Sequence, residues 1–204
     1  MEVKAVDAHF APGNDVKAYY ADINYDILGD IIEQVTKRPL EQVFLDDIFS
    51  KLGMNDTYLP VSKKEHIPQV YYGKTLLDRP QFIISSKASG GCVSTIKDLM
   101  LFIRAFFQGK LFDDSLFETF EKYKPLQLSM FPIQYGGGFM RIKMGGLATL
   151  FQGQGELIGH SGSTGSFAFY YPQKDLFFAG DFNQMKHPAL PIKYVMQLAM
   201  FASK

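Results

Sequence analysis

A chain of 204 residues with 47% hydrophobic and 21% charged residues is long enough for one sizeable core, or for two lobes sharing one. Lys plus Arg equal Asp plus Glu at 21 each, so the basic excess that nucleic acid or an anionic membrane demands of a partner is missing. The single cysteine, Cys92, excludes an internal disulfide and reads as a buried small hydrophobe, and the apolar stretches are too short to span a bilayer. Met1 to Asp7 carry no basic region leading into an apolar run, so no signal peptide is read there, and the compartment stays open.

Residues 1–19 read as irregular, with a turn at Pro12-Gly13-Asn14-Asp15. Helical spacing then puts Ile23, Ile27, Leu28, Ile31, Ile32 and Val35 on one face, with Asp22 or Asn24 as N-cap. A second helix runs from Pro39 at its first position through Val43, Phe44 and Ile48 to Leu52, and Gly53 stops it. Residues 54–91, with Pro60, Pro68 and Pro80, carry little sign of regular structure. Ser94 then caps a helix whose buried stripe is Leu99, Phe102, Ile103, Phe106 and Phe107, ended by Gly109, and a short helix spans about Asp114 to Tyr123. After Pro125 the character changes. Gly136-Gly137-Gly138 introduces a strand at Phe139 to Lys143, and Leu157 to His160 reads as another. Ser166 to Tyr171, the turn Pro172 to Asp175, and Leu176 to Phe182 form a β-hairpin, and a last helix follows Pro191 with Val195, Leu198, Ala199 and Ala202 on its buried face. The order predicts an α+β fold: a helical lobe over residues 1–125, then an antiparallel β-meander and C-terminal helix over 126–204, within one domain.

Chemistry concentrates in two places. Taken alone, Tyr20 is an aromatic whose hydroxyl needs a partner, and Asp22 is a helix cap. Gly159-His160-Ser161-Gly162-Ser163-Thr164-Gly165 is by itself a tight connection before an aromatic strand. Gly159 to Ser163 nearly matches the G-x-S-x-G nucleophile elbow, but the last position fails and the segment leads into a strand rather than a helix, so that reading is rejected. His9, His66, His160 and His187 are widely separated, without metal-ligand spacing, and neither metal nor cofactor is implied.

Five ordered stretches, taken together, resemble the serine β-lactamase and penicillin-binding-protein superfamily in its class C-like branch. Pro12-Gly13 precedes the tyrosine. Tyr20-Ala21-Asp22, leading into the first helix, resembles the Tyr-x-Asn segment. Ile48 to Thr57 resembles "IF-x-x-LGM-x-x-T", and Gly90 to Leu99 resembles "GG-x-x-ST-x-x-D-L/M". His160-Ser161-Gly162 stands where the family has Lys-Thr-Gly or His-Ser-Gly.

The resemblance implies acyl transfer, in which the serine of a Ser-x-x-Lys motif attacks a carbonyl. Tyr20 would serve as base and then as acid to the leaving group. Asp22 would stand in the asparagine position and bond the lysine or the substrate. Ser161 and Gly162 would line the strand-side wall, and the Ser163 N–H would be one oxyanion donor. His160 in the lysine position would give a weaker, pH-dependent positive charge, favouring esterases, amidases or peptidases over an efficient β-lactamase. The family's Ser-x-x-Lys lies upstream of the tyrosine, yet the 19 residues before Tyr20 contain no serine. The single match, Ser94-Thr95-Ile96-Lys97, reads as a helix start. The chain is therefore expected to be the C-terminal portion of a longer hydrolase or a natural truncation, inactive as it stands. A small-molecule or peptide substrate is expected, and pairing with the missing segment or homo-oligomerisation would cover exposed faces. A non-catalytic binding module that keeps the cleft is the rival reading.

Overall fold

The computed structural model describes residues 9–11, 16, 18–113, 115–120, 122–150 and 153–202. The turn expected at Pro12-Gly13-Asn14-Asp15 lies outside them, as does Asp114. The fold is α+β, with helices first, an antiparallel meander next and a helix last.

Helix α1 (Ile23–Thr36) ends where Lys37 turns left-handed and its N–H reaches Glu33 O. Its packing differs from the reading of its sequence. Ile23, Ile27, Leu28, Ile31 and Val35 are exposed, and the one buried residue is Gly29. Gly29 is where α1 meets its neighbours: a Cβ there would lie 2.8 Å from the Ala88 methyl and 3.3 Å from Leu40. The apolar stripe is real, but among the described residues nothing covers it. Helix α2 (Leu40–Phe44) passes through a π-helical turn at Leu45–Phe49 into α3 (Ser50–Leu52), and Gly53 ends the run at φ 70°. Pro39 stands just before the first turn as its N-cap, with ψ 145°, rather than inside it.

Residues 54–91, expected to be irregular, carry a hairpin of β1 (Val70–Tyr72) and β2 (Thr75–Leu77), then α4 (Pro80–Ser85) and α5 (Lys87–Gly90). Each is too short to display a readable period, and such pieces are held by tertiary contact rather than local propensity. Cys92 is exposed, not buried as expected.

Helix α6 (Ile96–Phe107) is capped by Thr95, not Ser94. The Thr95 hydroxyl accepts the Asp98 N–H at 3.2 Å, while Ser94 Oγ shares a hydrogen bond with Thr57 Oγ1 at 2.7 Å. Asp98, 1% exposed, accepts from the Asp56 N–H at 2.8 Å and from the Thr57 hydroxyl at 2.9 Å. Two segments about 40 residues apart are thereby tied together. Helix α7 (Ser115–Phe120) is shorter than expected.

Six strands follow in simple succession: β3 (Lys124–Pro125), β4 (Gln134–Gly136), β5 (Phe139–Lys143), β6 (Glu156–Ser161), β7 (Ser166–Tyr171) and β8 (Leu176–Asp181), all antiparallel. On β7 the period of two sends Phe167, Phe169 and Tyr171 to one face. There they meet Ile142, Leu157 and the buried face of α8 (Leu190–Ala202). That face is Pro191, Val195 and Ala199. Leu198 and Ala202, expected to be buried, are exposed. Tyr170 points the opposite way and stacks on Phe107 of α6 at 5.2 Å, so the sheet lies between α6 and α8. The outer edge of β8 pairs with no strand of the sheet.

Candidate active site

The end of β6 and the turn into β7 set the site's backbone. Gly159 pairs with Phe169 in the centre of the sheet, and a Cβ there would lie 2.1 Å from Ala168 O, so no side chain fits. The turn is fixed from both sides. Gly162 N–H donates to Ser166 O at 2.8 Å and Gly165 N–H to Gly162 O at 3.1 Å, while Phe182 N–H and Gln184 N–H reach Gly165 O and Thr164 O. Gly165, at φ 102°, adopts a conformation that suits glycine. Among the described residues the Ser163 N–H donates to nothing, and Ser163 is one of the residues that line the cavity below.

Tyr20 and Asp22 approach from the start of α1. Asp22 stands at the N-cap position and its carbonyl accepts the Tyr25 N–H at 2.9 Å, but its side chain does not cap the helix. The carboxylate instead lies beside the Tyr20 phenol. Burial first, then the neighbouring Asp22 carboxylate as acceptor and as negative charge, push the phenol far above its ordinary value. The Tyr20 ring lies 5.6 Å from the His160 ring and 5.4 Å from that of Tyr135. The Tyr135 hydroxyl donates to Gly138 O at 2.9 Å and, having only one hydrogen, accepts from Tyr25.

His160 Nδ1 lies 2.9 Å from Ser161 O; a carbonyl only accepts, so Nδ1 carries the proton and Nε2 keeps its lone pair in the neutral ring. Desolvation lowers the pKa of His160, against smaller raising contributions from that carbonyl and from Asp22. The ring is therefore neutral at neutral pH, and the positive charge expected at this position is weaker still.

All six residues singled out in the sequence, Tyr20, Asp22, His160, Ser161, Gly162 and Ser163, line one cavity of about 950 Å³. The rest of its wall is mostly apolar: Leu99, Phe102 and Phe106 of α6, Phe82 and Ile83 of α4, and the segment Ser129–Ile133. The α6 stripe expected to be buried is thus in large part the half-exposed cavity wall; Ile103 alone of the five is fully buried. Of the described lining residues Asp22 is the one carboxylate, and none is Lys or Arg. Ser94 and Lys97 are both exposed and neither lines the cavity.

Sequence reasoning missed Tyr25, Tyr135 and the Ser129–Ile133 wall. The signal available for Tyr135 was its place directly before the glycine triplet. Among the described residues no three His, Cys, Asp or Glu come together as metal ligands would, and no helix is long and apolar enough to cross a membrane.

Comparison with solved structures finds the same fold in hydrolases. The D-stereospecific amidohydrolase from Streptomyces sp. superimposes with a TM-score of 0.70 at 24% identity, over 91% of this chain and 55% of that one. For the D-amino acid amidase from Ochrobactrum anthropi SV3 the values are 0.66, 21%, 91% and 58%. For the octameric penicillin-binding protein homologue from Pyrococcus abyssi they are 0.71, 26%, 91% and 42%. The chain thus spans 42–58% of the length of these three structures. Comparison with curated proteins returns no match. The beta-lactamase family model matches residues 3–199. On that match, over nearly all of its length and with the fold to go with it, the chain belongs to the beta-lactamase family.

Proposed function

We propose that this chain forms the tyrosine and oxyanion side of a serine-hydrolase cleft, built for acyl transfer from an amide or ester, and that residues 1–204 alone do not turn substrate over. The observation that carries this reading is the convergence of Tyr20, Asp22 and Ser163 on one cavity whose described lining holds one carboxylate and no lysine or arginine. A substrate carbonyl set against Ser163 would gain one backbone donor as its oxygen becomes an oxyanion. Tyr20 would hand its proton to the leaving amine or alkoxide. Ser161 and Gly162 would form the wall along which the acyl group lies, with the neutral His160 ring behind them.

Taking a proton is a different matter for Tyr20. Asp22 opposes formation of a phenolate, so a base role needs a neighbouring cation. A lysine delivered beside Tyr20 and Asp22 would be held by the one charge and would lower the phenol's pKa with the other. The apolar trough leading away from Tyr20 along α6 has room for a segment that brings such a lysine with a nucleophilic serine. The exposed face of α1 offers further surface to it. The substrate classes that suit the site are D-Ala peptides, β-lactams and esters. The D-specific amide hydrolases among the similar folds put D-configured amides first, and the octameric homologue makes self-assembly a second way to cover the open faces.

The second reading is a binding module with the same cleft and no chemistry, favoured by the raised Tyr20 phenol. Titration with a D-Ala-D-Ala peptide, together with hydrolysis of a chromogenic β-lactam and of a p-nitrophenyl ester, tests both. Saturable peptide binding without turnover is expected. Turnover that survives Ser94→Ala would overturn the proposal that the nucleophile is absent, and turnover that Ser94→Ala abolishes would make Ser94 the nucleophile.

A further inference from the structure

A second cavity, of about 480 Å³, opens beside the first. Phe82 and Ile83 of α4 belong to the walls of both, so the two share a partition. The remaining wall is Pro68, then Val70 and Tyr72 of β1, Thr75 and Leu77 of β2, and Met185, with Arg79 as the one charged residue. Its size is within the range of small-molecule clefts.

The outer wall is held in place from elsewhere in the molecule. Strands of three residues do not hold a hairpin together in water. Here Gln184 grips the hairpin turn, its side-chain oxygen accepting the Gly73 N–H at 2.7 Å and its side-chain nitrogen donating to Gly73 O at 3.0 Å. Met185 N–H reaches Tyr71 O at 2.8 Å and the Asn183 side chain donates to Gln69 O at 3.0 Å. The backbone N–H of the same Gln184 holds Thr164 O at 2.7 Å. One three-residue segment thus fixes both the second cavity's wall and the turn that carries Ser163.

Arg79 has no carboxylate partner among the described residues. An apolar groove with one uncompensated guanidinium favours an apolar group that ends in an anion. We infer that this second cavity is a specificity subsite for the far arm of the substrate, an aryl or branched alkyl group terminating in a carboxylate that pairs with Arg79. The inference rests on the reading of the larger cavity as the acyl-transfer cleft, which the smaller one adjoins across Phe82 and Ile83, so that a substrate reaching over these two side chains would occupy both.

The test uses 6-phenylhexanoate and its uncharged counterpart 6-phenylhexanol, titrated calorimetrically into residues 1–204. The carboxylate is expected to bind more tightly than the alcohol. Arg79→Gln should weaken the carboxylate about fivefold and leave the alcohol unchanged, as for a partly exposed ion pair. Met185→Trp, which fills the groove, should weaken both by at least about tenfold. Circular dichroism of each variant establishes that it is folded. Absence of saturable carboxylate binding, or an Arg79→Gln variant that treats both probes as the wild type does, overturns the assignment. The D-Ala-D-Ala peptide separates the two readings. If the peptide fails to bind while 6-phenylhexanoate binds through Arg79, the acyl-transfer reading falls and the pocket stands; the reverse pattern removes the pocket and leaves the cleft.

Discussion

Asp98→Ala should destabilise the lobe that forms one wall of the cleft. The Asp98 side chain is 1% exposed and its Oδ2 accepts from the Asp56 N–H at 2.8 Å and the Thr57 hydroxyl at 2.9 Å. Alanine removes both bonds and takes the Asp56 N–H's partner away, while Thr57 keeps Ser94 as a partner. A hydrogen bond to a carboxylate contributes about 1.5–3 kcal/mol, so losing two should cost about 3–6 kcal/mol. For a chain of this size that lowers the thermal midpoint by about 10 °C. Urea denaturation followed by far-UV circular dichroism measures it. Asp98→Asn, which keeps an acceptor, should lose less than Asp98→Ala. A loss below about 1 kcal/mol for Asp98→Ala would refute the claim that this carboxylate joins the two segments.

Two further expectations concern the site itself. Gly159→Ala puts a methyl 2.1 Å from Ala168 O, a backbone atom that cannot swing away. It should cost at least about 1–3 kcal/mol in stability and weaken D-Ala-D-Ala peptide binding; a variant as stable as the wild type would show that β6 and β7 are not held at this spacing. His160, whose folded pKa lies below its ordinary 6.5, contributes stability that is present above 6.5 and is lost as pH falls through that value towards the folded pKa. Because Asp22 raises the His160 pKa, Asp22→Asn should move the imidazole titration, followed by NMR, to still lower pH. No shift, or an upward one, would mean that the two groups do not face the same space.

The parts of the fold that were legible in the sequence are those with a long period or a strong stop. The alternation Phe167, Phe169, Tyr171 marks its strand because each inward residue meets a core that the outward ones do not. Gly53 and Gly109 mark helix ends because each takes the left-handed conformation there. The hairpin at 70–77 was not legible: its strands are three residues long, and its stability comes from Gln184, more than 100 residues away. The α1 stripe was legible as a helix but misleading about burial, since periodicity reports which residues share a face and not whether anything lies against it. In the site, Tyr20, Asp22 and His160-Ser161-Gly162-Ser163 stood out through their residue types and order. Tyr25 and Tyr135 did not, because the link between them joins positions 110 residues apart. The change of cap from Ser94 to Thr95 follows from Thr57, which claims the Ser94 hydroxyl.

The most direct test of the central claim, a cleft with its tyrosine and oxyanion donor but no nucleophile, is intact-mass measurement of residues 1–204 after incubation with a penicillin. The account expects the mass to stay unchanged while the D-Ala-D-Ala peptide still binds. A stoichiometric acyl adduct on any serine, Ser94 and Ser161 included, would contradict it.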